Sequence, residues 1–326
     1  MNRATPKVTV VGSLNIDLVC HAIRRPDKGE TIIGDAFDIY TGGKGFNQAT
    51  AAARVGADVS LVGSIGSDPF GDLLRTAIRK EKIKSRFITR RTDIGTGIAT
   101  IVVEPDGDNS IIVVPRANMA LTTADIDAAT DCIADADVLL LQLETPIAAS
   151  EHAAAIAKQH GTIVVLNPAP AQPLPDSLLG YVDILTPNQS ETELLSGMPV
   201  NSHDDAYRAA ETLRERMVDT ENSAVVLTLG AQGALMLTKT TSELIPALPV
   251  QPVDTTGAGD AFCGALTTAL ASGENLQSAV EFANAAGAAA VTVIGATPSM
   301  PTRAKIERLL KSRKNKRNRK PQRKTT

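Results

Sequence analysis

The chain has 326 residues, 43% of them hydrophobic and 21% charged, with a formal net charge of −3, which is typical of a globular protein with a large buried core. No apolar run approaches the roughly 18–20 residues of a membrane-spanning helix, so we expect no membrane partner. The three cysteines, Cys20, Cys132 and Cys263, are far apart and form no CxxC pair, which indicates neither a disulfide framework nor a zinc site and favours a reducing, cytoplasmic setting.

Short apolar runs and Ala-rich helical stretches alternate along most of the chain. The first strand begins almost at once in MNRATPKVTVVG, which lacks the longer apolar stretch of a signal peptide. Buried strands are predicted at 7–12, 58–66, 137–144, 162–167, 183–188 and 224–230. Helices are predicted at 44–56, 69–82, 146–160, 189–196, 203–217, 258–272 and 275–294. Near-continuous apolar strands separated by helices predict an α/β fold with a central, mostly parallel sheet and helices on both faces.

Stretches of another kind interrupt this alternation early in the chain. Polar and apolar residues alternate at 17–22, 31–40, 97–104 and 109–114. Short polar turns such as Pro105–Asp106–Gly107 connect them, which is typical of antiparallel hairpins. We predict that the segments at about 17–40 and 97–114 form a small antiparallel β lid on a single domain that spans residues 1–310.

The last 16 residues have the opposite charge to the rest of the chain. Residues 311–326, KSRKNKRNRKPQRKTT, contain nine of the 33 Lys and Arg and no acid, so residues 1–310 carry 24 basic residues against 36 acidic ones. Such a block is too polar to pack, and we predict a disordered tail. A non-catalytic sugar- or nucleic-acid-binding protein that uses this tail to attract phosphates remains an alternative, although the tail has no aromatic residue for base stacking.

The strongest candidate for chemistry is PVDTTGAGDAFCGAL, residues 252–266. Gly257, Ala258 and Gly259 can turn the backbone tightly and point successive N–H groups at one spot, where the following helix adds its positive end. This suits an anion hole for a phosphoryl group in transfer, and Asp260 can accept a proton from an attacking hydroxyl. The alternative is a Gly-rich turn in which Asp260 caps the helix.

Two polar segments lie near the N-terminal strands. GSLNIDL places Asn15 and Asp17 at the carboxyl end of the first strand, where ligands bind in parallel sheets, and this pair of side chains suits polyol recognition. TGGKGFNQA leads through glycines into a helix with Lys44 and Asn47 at its start; it is not a Walker A loop, because GxxxxGK[ST] is absent from the chain. Either segment can instead be a plain turn.

Later strand ends carry polar residues as well. Glu144 ends DVLLLQLE, and LNPAPA occupies the same place on the next strand. Asn188 and Glu191 in TPNQSE can face one way at a helix start, where they can arrange Mg²⁺ through water or form a capping box. LTLGAQG, residues 227–233, can let adenosine lie against the backbone or can be a hairpin turn.

In their order along the chain these motifs resemble the ribokinase-like carbohydrate kinase family (PfkB family), over about residues 7–310. The motifs are GSLNIDL, GGKGFNQA, LQLE, LNPAPA, TPNQSE, LTLGAQG and VDTTGAGDAF. GAGD marks the family, and GGKG-x-NQA with LNPAPA points to its ribokinase branch. The resemblance implies ATP-dependent phosphorylation of D-ribose to ribose 5-phosphate with Mg²⁺. The alternative is a kinase of another small sugar, such as deoxyribose or a fructose-type sugar, or of a nucleoside. A nucleoside is less favoured, because the chain has only nine aromatic residues and no Trp to stack on its base.

The resemblance also implies roles for individual residues. It makes Asp260 the catalytic base and the amides of 257–260 the anion hole. It implies sugar binding at Asn15, Ile16, Asp17, Gly43, Lys44, Gly45, Phe46, Asn47, Glu144 and Asp260. It implies nucleotide binding at Asn188, Thr228, Leu229, Gly230, Ala231, Gln232, Gly233, Gly259, Asp260 and Asn284. It implies a monovalent cation, normally K⁺, held mostly by backbone carbonyls at Asp254, Thr256, Ala290, Val293, Gly295 and Ser299.

Two residues depart from the family pattern. Phe46 stands where a small residue is usual, and Arg116 in VVPRANMAL stands where the family usually has the Gly of a GAN sequence. We expect these side chains to narrow or recharge the sugar pocket. The lid is too small a sheet to stand alone, and the resemblance implies that it packs on the lid of a second subunit in a two-fold homodimer.

Overall fold

The computed structural model of the chain describes residues 5–217 and 223–318. The strands in chain order are β1 (Lys7–Val11), β2 (Asn15–His21), β3 (Ala36–Gly42), β4 (Asp58–Gly66), β5 (Lys84–Arg91), β6 (Gly97–Val103), β7 (Asn109–Val114), β8 (Val138–Leu141), β9 (Ile163–Leu166), β10 (Ile184–Leu185), β11 (Ala224–Thr228), β12 (Ala234–Thr238) and β13 (Ser242–Ile245). The helices are α1 (Lys44–Arg54), α2 (Pro69–Lys80), α3 (Thr123–Asp127), α4 (Thr130–Ala134), α5 (Ile147–Gln159), α6 (Asp176–Leu179), α7 (Gln189–Ser196), α8 (His203–Glu215), α9 (Ala258–Ala271), α10 (Leu276–Ala290), α11 (Ala296–Ser299) and α12 (Arg303–Asn318).

The body of the molecule is one large sheet in the strand order β13-β12-β11-β10-β9-β8-β1-β4-β5. Neighbouring strands are parallel from β11 to β5, whereas β12 is antiparallel to both β11 and β13. Because side chains alternate along a strand, Leu139 and Leu141 pack with α5 and α8 on one face, and Val138 and Leu140 pack with α1, α9 and α10 on the other. The predicted α/β fold with helices on both faces is therefore confirmed.

The predicted body strands and helices are all present, with ends that differ by a few residues. The prediction missed β5, β12 and β13. Strand β5 has the sequence KSRFITRR and lies at the edge of the sheet, where half-exposed positions carry charged residues and no continuous apolar run appears. The LTLGAQG segment, residues 227–233, connects the antiparallel strands β11 and β12, so one of the two interpretations of that segment, a hairpin turn, is present in the structure.

The predicted lid is a separate sheet in the order β3-β2-β6-β7. It consists of two antiparallel hairpins, β2–β3 and β6–β7, and a parallel pairing of β2 with β6 that sets Asn15 opposite Gly97. The parallel pairing was not predicted. It arises because β2 follows β1 and β6 follows β5, so both strands leave the same edge of a parallel sheet in the same direction.

The C-terminal helix α12 extends past the predicted end of the domain. It packs Ile306 against α10, and it continues to Asn318, so residues 311–318 of the predicted tail are helical. Residues 319–326 lie outside the described part of the chain. Among the helices that the structure describes, none combines the length and the apolar character needed to cross a bilayer.

Candidate active site

The site begins where the residues after β1 meet the start of α1. Gly43 has a φ of 90°, which side-chain-bearing residues rarely adopt, and a Cβ atom there would lie 2.8 Å from the backbone nitrogen of Asn15. A Cβ atom on Gly45 would lie 2.5 Å from the backbone nitrogen of Ser13. The backbone N–H of Phe46 donates to the Ser13 carbonyl at 2.9 Å. The glycines therefore let the start of α1 lie directly on the end of the first strand.

Glu144 connects a third segment to this contact. Its carboxylate accepts hydrogen bonds from the Ser13 hydroxyl and, at 3.0 Å, from the backbone N–H of Lys44. The Ser13 hydroxyl in turn accepts from the backbone N–H of Gly45 at 3.2 Å. The carboxyl ends of β1 and β8 and the start of α1 thus meet at one place, as the strand order predicts for a parallel sheet.

Asp260 lies in the first turn of α9 and is only 7% exposed. Gly257, with a φ of 75°, holds the N-cap position, so Asp260 is not the cap of this helix. Its Oδ2 accepts from Asn47 Nδ2 at 3.0 Å and its Oδ1 accepts from Gln48 Nε2 at 2.9 Å. Two amides of α1 therefore hold both oxygens of the proposed base.

The charged groups of the site act on one another. Burial raises the pKa of Asp260, and the ammonium of Lys44 opposes this rise. Burial, together with the negative charges of Glu144 and Asp260, raises the pKa of Asp17 to about 7. Burial lowers the pKa of Lys44, but Asp260, Glu144 and Glu191 raise it more, so the group stays charged.

Two of these charged groups are available to a ligand. Among the described residues, neither the Asp17 carboxylate nor the Lys44 ammonium has a hydrogen-bond partner. Asn15 is buried, and its Oδ1 accepts from Asn118 Nδ2 at 2.7 Å. Because the oxygen of Asn15 is already engaged, its amide nitrogen is the end that remains free to donate.

Two residues predicted to bind sugar lie in the core. Ile16 and Phe46 are fully buried and pack with Leu14 against the body of the sheet. Their side chains cannot touch a ligand, so the expectation that Phe46 narrows the sugar pocket is wrong. Phe46 fills core volume instead.

Arg116, the second departure from the family pattern, lies at a connection of the lid. It has a φ of 45°, a conformation that glycine adopts more readily. Its guanidinium covers Gly95 and donates to the Thr96 carbonyl at 3.1 Å. The side chain therefore joins the segment before β6 to the segment after β7.

A cavity of about 780 Å³ lies beside the start of α9, within the size range of small-molecule sites. Ala247, Leu248, Val250 and Phe262 give it apolar walls. The predicted nucleotide-binding residues that line it are Asn188, Thr228, Leu229, Gly230, Ala231, Gly233, Gly259 and Asn284. Gln232 and Asp260, which were also predicted to bind nucleotide, do not line it. Gln232 Oε1 pairs with His203 Nε2 at 2.9 Å on the surface.

Three of the four predicted anion-hole amides are free. Within the described part of the chain, the backbone N–H groups of Gly257, Gly259 and Asp260 have no acceptor, and they belong to the first turn of a helix. The N–H of Ala258 donates to the Thr255 carbonyl at 3.2 Å and is therefore engaged. Free amides at the positive end of α9, next to the cavity, form a suitable place for a phosphate.

Asn188 and Glu191 form the capping box that the sequence allowed. The Glu191 backbone N–H donates to Asn188 Oδ1, and both Glu191 carboxylate oxygens accept from Asn188, at 2.8 and 2.9 Å. Among the described residues no group of three or more His, Cys, Asp and Glu can hold a metal ion. Asn188 and Glu191 carry oxygen atoms, the ligand type that Mg²⁺ prefers, and contact through the waters that Mg²⁺ keeps fits this pair.

The predicted cation positions lie in two segments that are tied together. Asp254 Oδ1 accepts from the Thr256 N–H at 2.9 Å, and its Oδ2 accepts from the Gly295 N–H at 2.7 Å. The Ala290 carbonyl accepts from the Val293 N–H at 2.9 Å, and the Ser299 hydroxyl donates to Ala296. The carbonyl oxygens of Asp254, Thr256 and Val293 accept no hydrogen bond from described residues, so they are available to a cation.

Four amide residues that support the site were not predicted to belong to it. Gln48, Gln142 and Asn167 are joined to Asp260 by hydrogen bonds, and Asn118 orients Asn15. The motifs GGKGFNQA, LQLE and LNPAPA contain three of them, but the side chains to which they bond lie 94 or more positions away in the sequence.

Comparisons with known proteins agree with this geometry. The model of the pfkB family carbohydrate kinases matches residues 5–303. The chain is 42% identical over 296 residues to the ribokinase of Haemophilus influenzae, covering 91% of this chain and 95% of that protein. It is 35% identical over 296 residues to the deoxyribokinase of Salmonella typhi, covering 90% and 95%. A structure of Arabidopsis thaliana ribokinase complexed with ribose and ATP superposes with a TM-score of 0.88 at 33% identity, covering 94% of this chain and 99% of that one. The chain therefore belongs to the pfkB family of carbohydrate kinases.

Proposed function

We propose that this chain is a ribokinase, which transfers the γ-phosphoryl group of ATP to the 5-hydroxyl of D-ribose. One observation carries the proposal: the buried carboxylate of Asp260 lies between a polar pocket with unpaired Asp17 and Lys44 and a cavity with free helix-terminal amides. The identity to ribokinases over almost the whole chain supports it.

In the proposed mechanism the residues of this chain position two substrates and move one proton. Asp17, Glu144 and the amide nitrogen of Asn15 hold ring hydroxyls, and Asp260 accepts the proton of the 5-hydroxyl as it attacks. The free amides of α9 stabilise the charge that develops on the phosphoryl oxygens, and Lys44 adds a positive charge nearby. Mg²⁺ bound to ATP would neutralise phosphate charge, and Asn188 and Glu191 would hold it through its waters.

The test is ADP release by the purified protein across a panel of pentoses, hexoses and nucleosides. Ribose should give the highest kcat/KM. A higher kcat/KM for deoxyribose, a fructose-type sugar or a nucleoside would identify that compound as the substrate in place of ribose. The family assignment would be unchanged. Absence of phosphorylation for every acceptor would favour the non-catalytic alternative, in which the basic C-terminal residues attract nucleic acid.

Ribose should exceed 2-deoxyribose in kcat/KM by at least about tenfold. A closed pocket whose polar groups hydrogen-bond a hydroxyl rejects the analogue that lacks it, because those buried groups are left unpaired. Asn15 and Asp17 are the groups that would be unpaired here. Initial rates with both sugars at saturating ATP measure the ratio, and equal specificity constants would contradict this assignment.

We also expect K⁺ to raise the turnover several-fold. The proposed cation positions are Asp254, Thr256, Ala290, Val293, Gly295 and Ser299, and the carbonyl oxygens of Asp254, Thr256 and Val293 accept no hydrogen bond from described residues. Carbonyl dipoles that converge on one point repel one another unless a cation lies between them, and a large monovalent ion suits such a cage. Ordering this segment would aim the amides of α9 at the phosphoryl group. The measurement adds K⁺ to enzyme in a Na⁺-free buffer whose ionic strength is held by a bulky organic cation. An unchanged rate would remove the cation from the proposal.

The lid should make the protein a homodimer. The lid exposes large apolar side chains on one face. Ile39 and Ile112 lie in the same row across the sheet, Phe37 lies two residues from Ile39, and the three are 47–68% exposed. Exposed apolar side chains on one face of a small sheet are typical of a contact between subunits. Light scattering at micromolar concentration should give the dimer mass, and Ile112→Asp should give the monomer. A monomeric wild-type protein would contradict the proposal.

We propose a reducing, cytoplasmic setting, which the three unpaired cysteines favour. We also propose that residues 1–310 form one kinase domain, with its lid at about 17–40 and 97–114.

A further inference from the structure

A chain of buried amides leads from a backbone carbonyl to the proposed base. The Thr186 carbonyl accepts from Asn167 Nδ2 at 2.9 Å, and Asn167 Oδ1 accepts from Gln48 Nε2 at 2.9 Å. The same Gln48 nitrogen donates to Asp260 Oδ1, also at 2.9 Å. All three amide and carboxylate side chains are less than 8% exposed. Water therefore does not compete for these bonds.

The donor-to-acceptor direction of this chain of hydrogen bonds is fixed at two points. Thr186 offers a backbone carbonyl, which can only accept, so Asn167 must turn its nitrogen toward it and its oxygen toward Gln48. Gln142 Nε2 donates to Gln48 Oε1 at 2.7 Å and thereby occupies the oxygen of that amide. Both hydrogens of Gln48 Nε2 are then committed, one to Asn167 and one to Asp260. A rotated Gln48 amide would present its oxygen to the carboxylate, which is repulsive.

One atom of Gln142 is in an unfavourable environment in this arrangement. Its Oε1 is buried and has no hydrogen-bond partner among the described residues. Leaving a buried acceptor without a hydrogen bond is unfavourable, so we infer that the Gln142 side chain has a role that compensates for this cost. The space for this oxygen exists because residue 12 is glycine: a Cβ atom there would lie 2.0 Å from Gln142 Oε1. Gly12 therefore makes room for the amide that orients Gln48.

We propose that Gln48 is a positioning residue for Asp260, which fixes the carboxylate toward the acceptor hydroxyl and favours its ionised form, with its own orientation set by Gln142 and Asn167. This inference rests on the proposed role of Asp260 as the base. A hydrogen bond donated to a carboxylate favours the charged form and lowers its pKa. Without Gln48, burial acts on Asp260 with one donor fewer, and a larger fraction of the base is protonated at neutral pH.

Other charged and titratable groups act on Asp260 and must stay unchanged in a test. They come from every element around it: Lys44 on α1, Asp17 on β2, Glu144 after β8, Glu191 on α7 and Cys263 on α9. Replacing Gln48 by Met keeps the length of the side chain, removes both donors and alters none of these groups. Replacing Gln142 by Met removes the bond that orients Gln48 while leaving the residues that touch Asp260 in place.

The experiment measures the titration of Asp260 and the turnover of the same proteins. Carboxyl ¹³C NMR of Asp-labelled apoenzyme, assigned by the signal missing in Asp260→Asn, gives the titration without any need for activity. In Gln48→Met we expect the midpoint to rise by about one pH unit or more, since hydrogen bonds to charged groups are the strong ones. The acid limb of the kcat profile should move up equally. At neutral pH kcat should fall about tenfold or more, with KM for ribose changed less than about threefold. Gln142→Met should shift the titration midpoint and the acid limb of the kcat profile in the same direction, by a smaller amount.

Thr162→Val is the matched control. Its buried hydroxyl bonds the Ile133 and Ala136 carbonyls at the opposite end of β9, so its loss affects stability but leaves the titration of Asp260 in place. A Gln48→Met protein with reduced kcat but an unshifted titration would show a merely structural role and overturn the inference, as would an unshifted titration in Gln142→Met if Gln48→Met does not fold. A wild-type protein that does not phosphorylate ribose would defeat the proposed function, whereas the NMR titration would still decide on Gln48.

Discussion

Asp260→Asn is expected to lower kcat by on the order of 10² or more, the usual contribution of a positioned general base. The asparagine keeps the size of the side chain and its place between the polar pocket and the nucleotide cavity. It cannot take the proton from the 5-hydroxyl, which the carboxylate accepts in the proposed mechanism. Binding of ATP should change little, because the substitution leaves the backbone N–H of residue 260 unchanged and the residue does not line the nucleotide cavity.

Coupled ADP release and nucleotide titration of the same preparation separate these effects. Asp135→Asn is a matched control, since Asp135 is an exposed carboxylate that pairs with Lys7 at the opposite end of the parallel strands. It should retain wild-type turnover. If Asp260→Asn folds, binds ATP and turns over within about threefold of the wild type, Asp260 is not the base.

Gly264→Ala is expected to destabilise the protein by on the order of 2 kcal/mol and to lower kcat by about 10². Gly264 lies one turn after Asp260 on the same face of α9, against α1. A Cβ atom there would lie 2.6 Å from the Gln48 carbonyl oxygen and 2.5 Å from the Ala51 Cβ atom. Since backbone blocks the methyl group, the helices must separate, and the hydrogen bonds that hold Asp260 must lengthen.

Thermal unfolding and steady-state kinetics measure the two effects. Gly287→Ala on α10 is the control for stability, because its new methyl group would meet only the Ala258 carbonyl oxygen at 3.4 Å, an ordinary contact. We expect its Tm to equal that of the wild type or to rise slightly, as alanine favours a helix over glycine. A Gly264→Ala protein with wild-type Tm and kcat would show that α1 and α9 do not set the position of the base.

The sequence was informative wherever a feature is local. The apolar run of β4 predicts a strand. The glycines and the aspartate of GAGD predict an anion hole and a base. The resemblance to the family assigned Phe46 to the sugar pocket, but α1 turns this side chain into the core.

The features that were missed depend on distant partners. Gln48 reaches Asp260 across 212 positions and Gln142 across 94, and nothing in the neighbourhood of either glutamine indicates a buried amide network. Strand β5 was missed because an edge position permits the charged residues that conceal a strand. Arg116 is explained only by the fold, since the Thr96 carbonyl that it binds lies at the other connection of the lid.

The parallel pairing of β2 with β6 also governs the order in which the molecule can fold. Each hairpin of the lid is only marginally stable in isolation. The pairing between them joins segments that are far apart along the chain, and closing so long a loop costs conformational entropy before any contact compensates for it. The two segments come within reach of each other once β1, β4 and β5 have assembled, since β2 continues from β1 and β6 from β5. We therefore expect the lid sheet to form late in folding, after the strands of the body from which β2 and β6 continue.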